Sequence, residues 1–322
     1  MICALGLSLG VLAQELIVDS CYVVGQLENG LKYYLRHNDC EPGRANFHLA
    51  IRVGSVQEDD GQNGLAHFLE HIAFDGSKHF GDGGIIKYCE SIGVKFGENL
   101  NAHTFPEKTV FDIKNVPVAR TSTVDSCLLI LSDFGGNLEL SQSAIEKERG
   151  VVTEEWRMRS DAWDRLGDEL YPILVNGSKY GYRRPIGNME GVNNFDRKEL
   201  ENFYHTWYRP DLEAVVVSGD IDVAHVEKQI KRLFGSLRNP KNEVPREEYM
   251  LPDNEEPTYV TARDADISFA NISLFFKHAS FPSDKRNTVE YIMHQFMSEV
   301  VAMCLNQRLM ELRSASGNLL LD

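Results

Sequence analysis

One stretch of the sequence decides both the fold and the chemistry: residues 64–74 read GLAHFLEHIAF. Its apolar residues recur at helical spacing, which predicts a helix. On a helix, residues four apart lie one turn above each other on the same face, so His67 and His71 can share one metal ion. Glu70 follows His67 by three positions, and its carboxylate borders the same site. The stretch therefore predicts a metal-binding helix with an acidic group beside the ion.

Apolar residues flank this motif on both sides, which predicts that the helix is buried rather than solvated. Buried imidazoles and carboxylates need partners, and a metal ion supplies them. A catalytic zinc typically has three protein ligands and one water, and a neighbouring carboxylate can take the proton of that water. Manganese or cobalt would fit the same donors. The order His-x-x-Glu-His is the inverted form of the common zinc-protease motif.

A third ligand is expected on the helix that Ser141 opens, where Glu146, Glu148, Glu154 and Glu155 are available. Glu148 and Glu155 lie seven residues apart and share one helix face. Glu154 is rotated from Glu155 by about 100° and faces solvent more readily. A plausible arrangement has Glu155 on the metal and Glu148 steering a ligating histidine. The alternative is an acidic helix face that is merely solvated.

Outside this region the chain mixes strand-like and helical stretches without a βαβ rhythm. Strands are expected in a hairpin at 22–36 and at 46–53, 94–102, 109–115, 214–217 and 267–277. Helices are expected at 64–74, 84–92, 121–135, 141–158, 198–208, 223–237 and 284–313. This pattern predicts an α+β fold, a mostly antiparallel sheet with helices packed on one face.

Domain organisation follows from changes in composition along the chain. Residues 20–239 are predicted to form the metal-bearing domain, and the stretch 240–258, rich in Pro, Glu and Asn, is predicted to be a linker. Residues 259–322 suffice only for the incomplete start of a second, similar domain. The apolar residues 1–13 are typical of a truncated signal peptide, with an N-terminal strand or tail as the alternative.

Composition excludes some classes of partner. The 322 residues carry a net charge of −15, which argues against nucleic acid and against an anionic membrane surface. No apolar stretch is long enough to span a bilayer. The six cysteines form no Cys-x-x-Cys pair, and five would remain after removal of a leader, so no closed disulfide framework is indicated.

Several segments together resemble the pitrilysin/insulinase family of zinc metallopeptidases, in particular bacterial exported zinc proteases. They are GLAHFLEHIAFDG at 64–76, LENGL at 27–31, RVGS at 52–55, ERGVVTEEW at 148–156 and Asn101-Ala102. The resemblance extends over about residues 22–313. It implies one Zn²⁺ per chain on His67, His71 and Glu155, with Glu70 as general base on a zinc-activated water and Glu148 supporting the site.

The same resemblance implies how substrate and partners would be used. Asn101 and Ala102 would lie on an edge strand that pairs with an extended peptide. The family has a mitochondrial-processing-peptidase-like fold, in which two halves close around a chamber that admits unfolded peptides. Its second half supplies an Arg and a Tyr, so a missing half or a partner chain would close the chamber here. A periplasmic or secreted bacterial protein is implied.

Three functions remain open from the sequence. The first is a zinc metalloendopeptidase. The second is a non-catalytic or partner-requiring peptide-binding subunit of the same fold. The third is a metal-binding module without hydrolysis, which needs the metal ligands but has no use for Glu70.

Overall fold

The computed structural model describes residues 14–17, 19–277 and 280–314. Residues 20–273 form one compact unit, and the described residues before 20 and after 273 form another. The expected signal peptide at 1–13 lies outside the described residues.

A six-stranded sheet is the frame of the larger unit. Its strands are β1 (Tyr22–Gln26), β2 (Lys32–His37), β3 (Arg44–Ile51), β4 (Leu100–Thr104), β5 (Thr109–Pro117) and β6 (Glu213–Gly219). They are ordered β1-β2-β6-β3-β5-β4. Only the pair β2–β6 is parallel. The prediction of a mostly antiparallel sheet is therefore confirmed.

Alternating side chains explain why these stretches become strands. In β3, Phe47, Leu49 and Ile51 are fully buried on one face, whereas the residues between them are partly exposed. This period of two is expected of a sheet with one covered face. The hairpin β1–β2 turns at Gly30, whose φ of +96° favours glycine. The predicted hairpin is thus present.

Eight helices complete the described part of this unit. They are α1 (Leu65–Ile72), α2 (Gly84–Ser91), α3 (Thr121–Gly136), α4 (Gln142–Arg159), α5 (Ala162–Leu174), α6 (Met189–Asn194), α7 (Arg197–Trp207) and α8 (Val223–Phe234). Helices α3 and α8 pack on each other and on the sheet, and α1 contacts α4, α7 and the edge strand β4. The α+β fold predicted from the sequence is confirmed, and this packing brings α1 and α4 together.

Two predicted strands were wrong in whole or in part. Residues 94–99 form no strand: 97–99 are a turn, in which the N–H groups of Asn99 and Leu100 both bond to the Lys95 carbonyl and Gly97 has a φ of +80°. The region 267–277 has no strand, since it lies in no ladder and its apolar side chains are not covered. Phe269, for example, is 63% exposed. An alternating pattern needs a pairing partner to become a strand.

The segment expected to be a linker has no helix or strand between 240 and 258, yet it is held against the larger unit. Arg209 donates to the Val244 carbonyl at 2.9 Å, and Arg246 donates to the Arg52 carbonyl at 2.6 Å. Asn176 donates to the carbonyl of Asp253. These bonds tie the segment down along much of its length.

The second unit contains one long helix, α9 (Val289–Ser314). Its start is joined to the N-terminal segment, because the Val289 N–H bonds to the Gln14 carbonyl and Leu16 bonds to Asn287. That residues 259–322 begin a second, similar domain stays a prediction. Among the described residues, no helix combines the length and the apolar character that a membrane span requires.

Candidate metal centre

Helix α1 holds its polar residues in an apolar setting. All of its residues except His71 are buried, and Phe68 and Leu69 are fully so. The helix begins after Gly64, whose φ is +104° and whose missing Cβ would lie 2.9 Å from Val192 Cγ2. Only glycine fits this tight entry. The direction of α1 is therefore set by packing around it.

The two histidines of α1 lie together as their spacing predicts. The ring centroids of His67 and His71 are 4.5 Å apart, and the rings are inclined at 71°. Their Nε2 atoms lie 3.7 Å and 3.0 Å, respectively, from Oε2 of Glu155. One atom from each of these three residues falls within a mutual distance of 4.8 Å. The cluster has the donor number of a catalytic zinc site.

Helix α4 carries the two carboxylates on the one helix face that their seven-residue spacing predicts. Glu155 and Glu148 both point to α1, and Oε1 of Glu148 lies 2.9 Å from Nδ1 of His71. Glu154 faces away and pairs with Arg157. An imidazole whose second nitrogen is held by a carboxylate is the usual arrangement around protein-bound zinc. The structure thus brings Glu155, not Glu154, to the histidines.

Two atoms of the cluster lack hydrogen bonds although they are buried. They are Oε2 of Glu155, which makes no bond of acceptable geometry despite its nearness to His71, and Nδ1 of His67. Buried polar atoms are rarely left unpaired, and a carboxylate oxygen without a hydrogen bond between two imidazoles is well placed to bind a cation. The imidazole and carboxylate donors fit zinc. The residues present therefore fit the metal that the sequence implies.

The ionisable side chains of the cluster shift one another's pKa values strongly. Burial disfavours charge on His71, but the hydrogen bond to Glu148 and the nearby Glu155 outweigh it and raise the pKa of His71 to about 9. Burial and the neighbouring His71 lower the pKa of His67 to about 4. The adjacent His71 imidazole lowers the pKa of Glu155 to about 2. One proton, on His71, thus balances part of the negative charge.

Glu70 lies on the same helix and is 8% exposed. Burial raises its pKa, and the hydroxyl of Thr104, which donates to Glu70 Oε2, opposes the rise. Thr104 ends strand β4, so the carboxylate lies between the metal cluster and the end of that strand. A raised pKa makes a carboxylate a stronger proton acceptor than an ordinary one.

Strand β4 is an edge strand that pairs only with β5 among the described residues. Lys114 N bonds to Asn99 O, and Phe105 N bonds to Lys108 O. In an antiparallel ladder every second residue bonds to the neighbouring strand, so these two bonds show which residues of β4 face β5. By that alternation, the main-chain groups of Ala102 point to the free edge. Oδ1 of Asn101 accepts the Ala102 N–H at 3.0 Å. Asn101 and Ala102 thus lie on the unpaired edge of the strand that reaches Glu70, and Ala102 itself is only 5% exposed.

Sequence reasoning missed two residues that touch this cluster. Thr104 could have been found from the period of two, since it shares a strand face with Ala102. Arg159 follows Glu155 by four residues and lies 2.6 Å from its Oε1, which leaves Oε2 for the histidines. The spacing of Glu155 and Arg159 is that of a helical ion pair, and it was the available signal.

Comparisons with known proteins find two matching family models and several relatives. A model of the insulinase family, peptidase family M16, matches residues 35–183, and a model of the peptidase M16 inactive domain matches residues 194–313. The chain is 31% identical over 296 residues to a probable zinc protease, PqqL, of Haemophilus influenzae, an alignment that covers 91% of this chain and 31% of that protein.

Two further relatives extend the comparison. A zinc protease PQQL-like protein of Arabidopsis thaliana is 32% identical over 289 residues, covering 89% of this chain and 30% of that protein. The crystal structure of the periplasmic protease PqqL from Escherichia coli matches with a TM-score of 0.69 and 32% identity, over 75% of this chain and 26% of that one. The chain spans about a third of the length of the curated relatives it matches.

Proposed function

We propose that this chain, which belongs to the insulinase family of peptidases (M16), is the zinc-bearing part of a metalloendopeptidase that hydrolyses unfolded peptides. One observation carries the proposal. A buried carboxylate oxygen of Glu155 has no hydrogen bond, and it faces the Nε2 atoms of two histidines one helical turn apart. This arrangement supports a three-donor cation site next to a second buried carboxylate, Glu70.

His67, His71 and Glu155 would hold one zinc ion per chain. When bound there, zinc would supply Lewis acidity, which lowers the pKa of water and polarises a carbonyl group. Glu70 would take the proton that water loses as it attacks the peptide carbonyl, and would return it to the departing amine. Glu148 would hold His71 in the tautomer and orientation that leave Nε2 free for the metal.

An extended peptide would bind along β4. The main-chain groups of Ala102 that point away from β5 would donate and accept hydrogen bonds, which need no particular side chain in the substrate. Asn101 would release the Ala102 N–H to the peptide as it binds. Because Thr104 of the same strand touches Glu70, a peptide on this edge would be led to the proposed base.

The cellular location and the partner of the chain are part of the proposal. One relative of known structure is described as periplasmic, which supports a periplasmic location for this chain as well. The chain matches about a third of the length of these curated relatives. We therefore propose that a further half or a partner chain closes the chamber. A peptide-binding subunit that cleaves only with such a partner is the alternative function.

The proposal is tested by metal content and peptide cleavage in the parent chain and in Glu70→Gln. We expect one zinc per chain in both proteins, by mass spectrometry of the purified, dialysed samples. Cleavage of a quenched fluorescent peptide should fall at least about 100-fold in Glu70→Gln, because a general base is lost. Glu154→Gln is the matched control, since Glu154 faces away from the cluster, and it should keep both zinc and cleavage.

Each result separates the functions. Equal cleavage by Glu70→Gln and the parent would refute the mechanism. Zinc without cleavage in the parent chain would favour the partner-requiring subunit. A parent chain that binds no zinc at micromolar concentrations would remove the metal site itself.

A further inference from the structure

A second buried glutamate lies at the other end of the metal-bearing helix. Glu58 is fully buried in the loop before α1, and both of its carboxylate oxygens are engaged. Oε2 accepts the Gly64 N–H at 3.1 Å, and Oε1 accepts the Ala66 N–H at 2.9 Å. Both donors belong to the entry of α1, and Ala66 directly precedes His67.

The first turn of a helix leaves N–H groups without partners inside the helix, and a side chain at its first position usually bonds them. Here that position is Gly64, which has no side chain. Glu58, six residues upstream of Gly64, bonds these N–H groups instead. A helix of eight residues depends on such tertiary contacts, because its own hydrogen bonds hardly sustain it.

The loop that carries Glu58 is itself fixed. Arg183, 7% exposed, donates from Nε to the Glu58 carbonyl at 3.4 Å and pairs with Asp60. The Ser55 hydroxyl donates to the Arg183 carbonyl at 2.5 Å. The Gly54 N–H bonds to Gln57 Oε1 at 2.9 Å. The carboxylate of Glu58 is therefore held in place before it meets the helix.

Burying a carboxylate in this interior costs free energy, which indicates that Glu58 has a specific role. Burial raises the pKa of Glu58, whereas the two N–H groups and the Arg183 guanidinium oppose the rise. Because each oxygen receives an N–H donor, the hydrogen bonds favour the ionised form. Buried carboxyl groups are tolerated when their hydrogen bonds are made. The two bonds to the start of α1 satisfy that condition.

We propose that Glu58 is a positioning residue: through the Gly64 and Ala66 N–H groups it fixes the first turn of α1 and thereby the direction in which His67 and His71 present their metal-binding nitrogens. This inference rests on the proposed zinc site. It assigns Glu58 no contact with metal, water or substrate. Its effect is transmitted by the backbone of the helix.

The test compares Glu58→Gln with Glu213→Gln in the full chain. Glutamine at 58 can accept only one of the two N–H groups and turns its own NH₂ towards the other. Glu213 is equally buried, on β6, and neither of its oxygens has a hydrogen bond, so its replacement controls for the loss of a buried acid. Glu58→Ala, which removes both acceptors, is the second variant.

Two measurements are made, and one of them needs no metal. In the zinc-free protein, amide hydrogen exchange over residues 64–72 should accelerate about tenfold in Glu58→Gln relative to the rest of the unit, and not in Glu213→Gln. Zinc affinity, from chelator competition, should fall at least about tenfold in Glu58→Gln and remain unchanged in Glu213→Gln.

Unchanged exchange in α1, or a uniform acceleration over the whole unit, would overturn the positioning role and leave Glu58 as an ordinary core residue. So would unchanged zinc affinity in a Glu58 variant. A parent chain without zinc binding would refute the proposed function instead, and the exchange experiment would still decide the role of Glu58.

Discussion

Helices α1 and α4 meet at the metal cluster, but they are held in opposite ways. Every residue of the eight-residue α1 except His71 is buried. The eighteen-residue α4 buries only Ala144, Ile145 and Val152. A single site is thus assembled from one helix that packing surrounds and one that lies largely at the surface.

The difference is in what positions each ligand. His67 and His71 are positioned by the apolar residues around α1, together with the bonds of Glu58 to its first turn. Glu155 depends on a few polar contacts of α4, such as the bond from Arg149 to the Phe195 carbonyl at 2.6 Å and the pair between Lys147 and Asp75 at 3.2 Å. The two-histidine part of the site is therefore rigid, and the carboxylate part can adjust when a metal binds.

The largest expected effect separates the two helices by stability. Phe68→Ala should lower the free energy of unfolding by about 3–5 kcal/mol, because it empties a fully buried position in α1. Val151→Ala on α4 should change it by no more than about 0.5 kcal/mol, since Val151 is 48% exposed. Urea unfolding followed by circular dichroism measures both. Similar losses in the two variants would contradict the contrast.

A smaller effect probes the link between the helices. Glu148→Gln should weaken zinc binding by about 10–100-fold without unfolding the chain, because His71 loses the carboxylate on its second nitrogen. Chelator competition gives the affinities. Glu146→Gln, an exposed position on the same helix, should bind zinc like the parent. If both variants bound equally well, the pairing of α4 with His71 would have no role at the metal.

Per pH unit, the smallest effect is the pH dependence of zinc binding. The pKa of His71 is raised to about 9, so its proton must leave before Nε2 can bind a cation. His67 and Glu155, with pKa values lowered to about 4 and about 2, carry no proton to be displaced at neutral pH. Apparent affinity should therefore rise about tenfold per pH unit from 7 to 9 and level off above 9.

Isothermal titration in two buffers of different ionisation enthalpy checks this, since about one proton should be released per zinc at pH 7. In Glu148→Gln the levelling should begin at lower pH, because the main group that holds the His71 proton is gone. A pH-independent affinity between 7 and 9 would show that His71 is already neutral in the metal-free protein.

The same contrast explains what the sequence could predict. Local spacing determines which residues share a face of α1 or α4. The sequence could therefore predict His67, Glu70 and His71, and the choice of Glu155 over Glu154. The edge position of β4 was not accessible from spacing, because strand order is decided by distant segments; it entered only through the resemblance. Helix α5 was missed because Pro172 interrupts its pattern, and α6 because six residues give too little periodicity.

The insertion of β6 between β2 and β3 orders the events by which the chain matures. β2 and β3 follow each other in sequence, yet they are joined only through residues 213–219. A growing chain thus exposes two unpaired edges until that late segment is made, although both helices of the metal cluster precede it in the sequence. Such edges invite pairing with other chains. The nascent protein therefore needs protection from aggregation longest at these two strands. The sheet on which the metal cluster rests is complete only after β6 has paired with both of them.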